Sequence, residues 1–135
     1  MIVIDSSALA KYLLREEGWE EVEKHLLKPV YSVDHLVKEV SNAIWKHTVI
    51  RRYISKTTAL TIYSQLKRLV DEGIIVLEAQ EKYIDKAFDI AIENSITIYD
   101  ALYIAQALKY GELLTSDRRQ AEIAERLGVK TIVIT

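Results

Sequence analysis

Four acidic residues, Asp5, Glu39, Asp100 and Asp117, occupy positions where a carboxylate calls for an explanation. Asp5 directly follows the β-branched run Ile2-Val3-Ile4, and Asp117 follows Leu113-Leu114-Thr115-Ser116. Asp100 falls in the first turn of Thr97 to Leu108, a stretch apolar on almost every side, as in a helix packed over most of its surface. Glu39 lies at the edge of an apolar helical arc formed by Leu36, Val37, Val40, Ala43 and Ile44. Each acid has a local reading. Asp117 with Gln120 three residues on fits a capping box, Asp100 suits a helix dipole, Asp5 is a good turn residue, and a lone Glu39 is an ordinary solvated side chain.

Together they carry more meaning than separately. At about 5 Å and an effective dielectric of about 20, each pair of carboxylates would repel by roughly 3 kcal/mol. Several such pairs would rival the roughly 5 to 15 kcal/mol that holds a domain together. A divalent cation is the simplest remedy. Oxygen ligands without thiolates or paired histidines favour Mg²⁺ or Mn²⁺ over zinc, and His25, His35 and His47 show no metal-ligand spacing and are assigned no role. Such an ion lowers the pKa of a bound water, holds a phosphoryl oxygen and offsets charge on a leaving group.

The acids must be positioned by a regular frame. Strands are expected at Ile2–Ile4, Val30–Val33, Ile74–Leu77, Leu113–Thr115 and Thr131–Ile134. Helices are expected from Ala8 to about Arg15 behind a Ser6 or Ser7 cap, then at Trp19–Leu27, and from His35 to about Thr48 behind Asp34. Further helices follow at Lys56–Glu72 behind Ser55, at Glu81–Glu93, from Thr97 to the stop at Gly111, and from Asp117 to Leu127. Strands alternating with helices imply a parallel sheet covered on both faces. Ligands in such sheets bind beyond the carboxyl ends of the strands, where strand order reverses. If the first and fourth strands are neighbours, Asp5 and Asp117 face one crevice.

Composition sets the outer limits. The 135 residues suit a single domain over 1–135, with half of them hydrophobic, and they show no internal repeat or linker. No cysteine is present, which excludes disulfides and fits a reducing cytoplasm. The first residues do not have the pattern of a signal peptide, and no apolar run approaches the roughly 18 residues of a membrane helix. A net charge of −2 gives no overall argument for nucleic acid, so any such surface is local.

The segments around the acids, taken in order, resemble the four motifs of PIN domains. Ile2-Val3-Ile4-Asp5-Ser6-Ser7-Ala8-Leu9 is similar to the opening motif and Glu39-Val40-Ser41-Asn42-Ala43 to the second. Tyr99-Asp100-Ala101-Leu102-Tyr103-Ile104-Ala105 is similar to the third, and Leu114-Thr115-Ser116-Asp117 to the fourth. The resemblance implies an α/β fold with a five-stranded parallel sheet, order 3-2-1-4-5, between layers of helices. It also implies a Mg²⁺- or Mn²⁺-dependent endoribonuclease, most similar at this length to the VapC-type toxins of toxin–antitoxin pairs, with a homodimeric state and a cognate antitoxin. Asp5, Asp100 and Asp117 would hold metal and Glu39 would support it or orient a water, with Thr115, Ser116 and Asn42 as helpers. The family often has a further acid after the fourth motif, where this chain has Arg118 and Arg119.

Lys11, Arg15, Lys46, Arg51, Arg52, Arg118 and Arg119 are candidates for phosphate contact, Arg118 being best placed beside Asp117. Tyr53 and Trp45 are candidates to stack on an unpaired base. The alternative function is a catalytically silent PIN-like binding or regulatory subunit. A phosphatase acting through an aspartyl-phosphate would usually carry a second acid two residues after Asp5, where this chain has Ser7, and no Gly-rich loop suggests nucleotide binding.

Overall fold

The computed structural model describes all residues, 1–135. Five short strands, β1 (Ile2–Ile4), β2 (Val30–Val33), β3 (Ile75–Glu78), β4 (Glu112–Thr115) and β5 (Lys130–Val133), form one parallel sheet in the order β3-β2-β1-β4-β5. The expected order is therefore found. Between the strands run α1 (Ser6–Leu13), α2 (Trp19–His25), α3 (His35–Trp45), α4 (Lys56–Asp71), α5 (Ile84–Asn94), α6 (Ile98–Tyr110) and α7 (Arg118–Arg126). α1 packs with α2, α3 and α4, while α6 packs with α5 and α7. The connections β1-β2-β3 step one way across the sheet and β3-β4-β5 the other, so right-handed crossovers place these two sets on opposite faces.

The core follows from this layering. Val3 and Ile4 of β1 and Leu113 and Leu114 of β4 are fully buried, as central parallel strands require. In α6 every residue from Ala101 to Ala107 is buried, which explains why its sequence has almost no polar face. Thr97 caps this helix, its hydroxyl accepting from the Asp100 amide, and Gly111 closes it in the left-handed conformation at φ +99°.

Some local expectations give way to longer-range contacts. Asp5, not Ser6 or Ser7, caps α1, and the helix accordingly starts at Ser6. Asp34 does not cap α3; its amide bonds to the Glu78 carbonyl and its carboxylate accepts from the Gln80 amide, so it is used in joining β2 to β3. The third helix stops being α-helical at Trp45 and widens into a π turn over Lys46–Ile50. There the Thr48 hydroxyl donates to the Ile44 carbonyl at 2.7 Å, the kind of back-bonding that opens a helix. The expected Glu81–Glu93 helix is split into a 3-10 turn, Gln80–Lys82, and α5.

Candidate active site

Strand order reverses at β1, which pairs with β2 on one side and β4 on the other. Ile4 lies opposite Leu114, and the Asp5 amide donates to the Leu114 carbonyl, so the chain leaves both central strands at the same level. Asp5 turns straight into α1, and Asp117, two residues past β4, caps α7 by accepting from the Gln120 amide at 3.1 Å. Both acids thus occupy the carboxyl-end crevice where a doubly wound sheet binds its ligand.

Asp5 is only 2% exposed. Its Oδ1 accepts from the Ala8 amide at 3.0 Å and the Ser7 hydroxyl at 2.7 Å. Its Oδ2 accepts from the Thr115 hydroxyl and from Gln120 Nε2 at 3.2 Å. All four donors are neutral. Burial pushes the carboxyl up to about 6, against the pull of Thr115, Ala8 and Ser7, and the Asp117 charge adds to the rise. Asp100, half-buried in the first turn of α6, is likewise raised, first by burial and then by the charges of Glu39 and Asp117. Asp5 thus feels the charge of Asp117, and Asp100 those of Glu39 and Asp117.

Glu39 is held differently. Its Oε1 accepts from the Tyr103 hydroxyl at 2.7 Å and lies 3.2 Å from His35 Nε2. The imidazole approach is close without the alignment of a full hydrogen bond, and that buried nitrogen makes none elsewhere. Burial would raise the Glu39 carboxyl, but His35 and Tyr103 outweigh it and keep its pKa low. Tyr103, fully buried, is in turn raised by burial and by the Glu39 charge.

The helpers are only in part those expected. Thr115 donates to Asp5, lies 3.2 Å from the Ser7 hydroxyl and receives the Asp117 amide at 3.0 Å, tying both strand ends together. Ser116 contributes its amide, which donates to Ser7 at 3.0 Å, while its hydroxyl makes no hydrogen bond. Asn42 makes no hydrogen bond to Glu39 and instead lines an open groove beside it. Gln120, Ser7, Tyr103 and His35 are site residues that the sequence reading passed over. A buried tyrosine hydroxyl three residues after Asp100 was the available signal, since such a group needs a partner.

Among the basic residues, Arg118 is exposed at the start of α7 and pairs with no acid. Lys11 sits in the last turn of α1 with its ammonium on the Glu17 carbonyl. Arg51 and Arg52 are exposed past the π turn, and Arg119 donates to the Ser95 carbonyl. Arg15 lies over the rings of Tyr12 and Trp19. Tyr53 packs edge-on against His47, and Trp45 is 48% exposed; neither lines the groove.

No arginine or lysine pairs with any of the four acids. A buried carboxylate served only by neutral donors, in a set of oxygen ligands, fits a hard divalent cation. No three of these side chains are drawn together closely enough to form a cage, and magnesium does not require one, since it retains waters and binds through one or two carboxylates.

Comparison with known proteins agrees with this architecture. The family model of the PIN domain matches residues 2–126. The chain is 31% identical over 124 residues to Ribonuclease VapC3 of Pyrobaculum aerophilum, covering 90% of this chain and 92% of that protein. Among solved structures, PAE2754 from Pyrobaculum aerophilum superposes with a TM-score of 0.65 at 22% identity, over 96% of this chain and 87% of the other. That structural likeness concerns the fold.

Proposed function

The chain belongs to the PIN domain family, and from that premise we propose that it is a metal-dependent endoribonuclease, the toxin of a toxin–antitoxin pair. The observation that carries the reading is Asp5, nearly excluded from water, left without a cation from the chain and raised further by the charge of Asp117. A subunit retained only for binding has no physical reason to keep that repulsion.

Asp5, Asp100 and Asp117 would hold Mg²⁺ or Mn²⁺, directly or through waters. When bound, such an ion acidifies water, holds a phosphoryl oxygen and offsets charge on the leaving oxygen. Glu39, kept ionised by Tyr103 and His35, orients the water that attacks a backbone phosphorus in line as the 3′ oxygen leaves. Thr115, Ser7 and Gln120 fix the Asp5 carboxylate so that it need not reorganise during the reaction. Arg118 is the best placed arginine for a phosphate. An apolar stripe on α5, Ile84, Phe88 and Ile92 at successive turns, with Phe88 56% and Ile92 64% exposed, supports a homodimer. The antitoxin would lie over the acidic crevice. No helix is long and apolar enough to cross a membrane, and the absence of cysteine suits a cytoplasmic setting.

Purified protein is expected to cleave RNA with Mn²⁺ or Mg²⁺ and to stop on chelation. Asp100→Asn is expected to slow cleavage by about 100-fold or more. Cleavage by this variant at the parent rate would overturn the assignment. Thermal melting provides a second test: Mn²⁺ binding only the folded state raises the melting temperature. No shift at millimolar Mn²⁺ would favour the silent-subunit alternative.

A further inference from the structure

Beside the acids lies an open groove of about 400 Å³ between α1 and α3, lined by Ser6, Ser7, Lys38, Glu39, Asn42 and Lys46 among others. Lys38, Asn42 and Lys46 are spaced four residues apart, so they form one row along α3 into its π turn. Both lysines are exposed, and neither takes part in an ion pair. At 1.5 Å per residue they stand about 12 Å apart along the helix, too far to grip one phosphate together. In a chain of net charge −2 whose nearby crevice repels anions, two unpaired ammonium groups on one groove wall are a local attraction for a polyanion.

The groove also holds Tyr99, 55% exposed, its ring stacked on buried His35 at 5.0 Å and 23°. One face of the tyrosine is backed by the imidazole, while more than half of the residue remains open to solvent. That is the form of a stacking platform for a base, and a base can reach it only if it is unpaired. His35 supports this ring and approaches Glu39 with the same imidazole, so platform and acid are held in fixed relation.

We propose that this groove is the track for a single-stranded segment of the RNA substrate. Lys38 and Lys46 take separate backbone phosphates on the Glu39 side of the scissile bond, and Tyr99 stacks one unpaired base beside the acids. The ligand's identity as RNA rests on the function proposed above; the track itself rests on the groove.

Fluorescence anisotropy with a labelled single-stranded 12-nucleotide RNA, in chelator to prevent cleavage, tests the track on the intact protein. Each phosphate neutralised on a single strand contributes about 0.7 to the slope of log affinity against log salt, so Lys38→Ala/Lys46→Ala is expected to lower that slope by about 1.4. Tyr99→Ala is expected to weaken binding by on the order of tenfold, and Tyr99→Phe to restore it. Lys28→Ala, exposed at the opposite end of the sheet, is expected to change neither quantity. The same RNA annealed to its complement is expected to bind more weakly than the single strand.

An unchanged slope in the double lysine variant, or duplex binding as tight as single-strand binding, would overturn the track. If the parent then still cleaves RNA with metal, the nuclease assignment stands without it. Conversely, lysine-dependent binding in a parent that cleaves no RNA would retain the track and reject the nuclease.

Discussion

Asp5→Asn is expected to reduce metal-dependent cleavage by about 100-fold or more while making the metal-free protein more stable. The two effects have one cause. The Asp5 carboxyl is 2% exposed and its pKa rises from 3.8 to about 6 in the fold, chiefly through burial. A group raised in this way contributes stability that is fully present below its unfolded value and is lost as pH rises through its folded value. Metal-free parent is therefore expected to gain stability on acidification from pH 7 towards pH 4. Ionisation at pH 7 costs about 3 kcal/mol, taking about two pKa units at 1.36 kcal/mol each. An asparagine avoids that cost and still accepts from Ala8 and Ser7, while loss of the Thr115 and Gln120 bonds to the other oxygen returns about 2 kcal/mol. The net gain of about 1 kcal/mol corresponds to roughly 3 to 5 °C in melting temperature. Melting in chelator at pH 7 checks it, and Mn²⁺ should raise the parent more than the variant. A variant melting below the metal-free parent, or cleaving at the parent rate, would refute the account.

The same residue shows what the sequence could and could not disclose. Its place after a β-branched strand was legible, as was the placement of Asp117, because strand-then-acid is a local pattern. The strand β2 and the caps at Ser55, Thr97 and Asp117 were found where expected for the same reason. The reading that serines would cap α1 failed because Ser7 is used to hold Asp5 and Ser116 instead. Gln120 fitted a capping box with Asp117, but its side chain reaches across 115 positions to Asp5. Tyr103 reaches Glu39 across 64. Such partners are set by strand order and helix packing, which hydrophobic period does not reveal. The row Lys38, Asn42 and Lys46 was present in the spacing, yet only the groove separates it from the other charged helix faces.

Glu78→Ala is expected to lower the melting temperature by roughly 10 °C, equivalent to about 3 kcal/mol, without removing cleavage at lower temperature. Glu78 ends the edge strand β3 with its side chain only 10% exposed. Its Oε1 accepts from the Tyr83 hydroxyl at 2.6 Å and from Gln106 Nε2 at 3.0 Å; its Oε2 lies 3.3 Å from Lys82 and 3.7 Å from Lys109. The carboxylate thereby joins β3 to the start of α5 and the middle of α6. Burial opposes its ionisation, but Tyr83, Gln106, Tyr110 and Lys82 outweigh burial and hold it at about 2. Removing it strands the Tyr83 hydroxyl and the buried Gln106 amide, whose carbonyl already has no partner. A pKa lowered from 4.5 gives stability present above that value and lost as pH falls towards 2, the reverse of Asp5. With Asp5 adding stability as pH falls from about 6 to 3.8 and Glu78 losing it only below 4.5, the metal-free parent is thus expected to be most stable near about pH 4, and Glu78→Ala to flatten the decline on the acid side. Melting curves from pH 2 to 7 in chelator check both limbs. A variant that melts with the parent at pH 7 would mean that the sheet edge is held by packing alone.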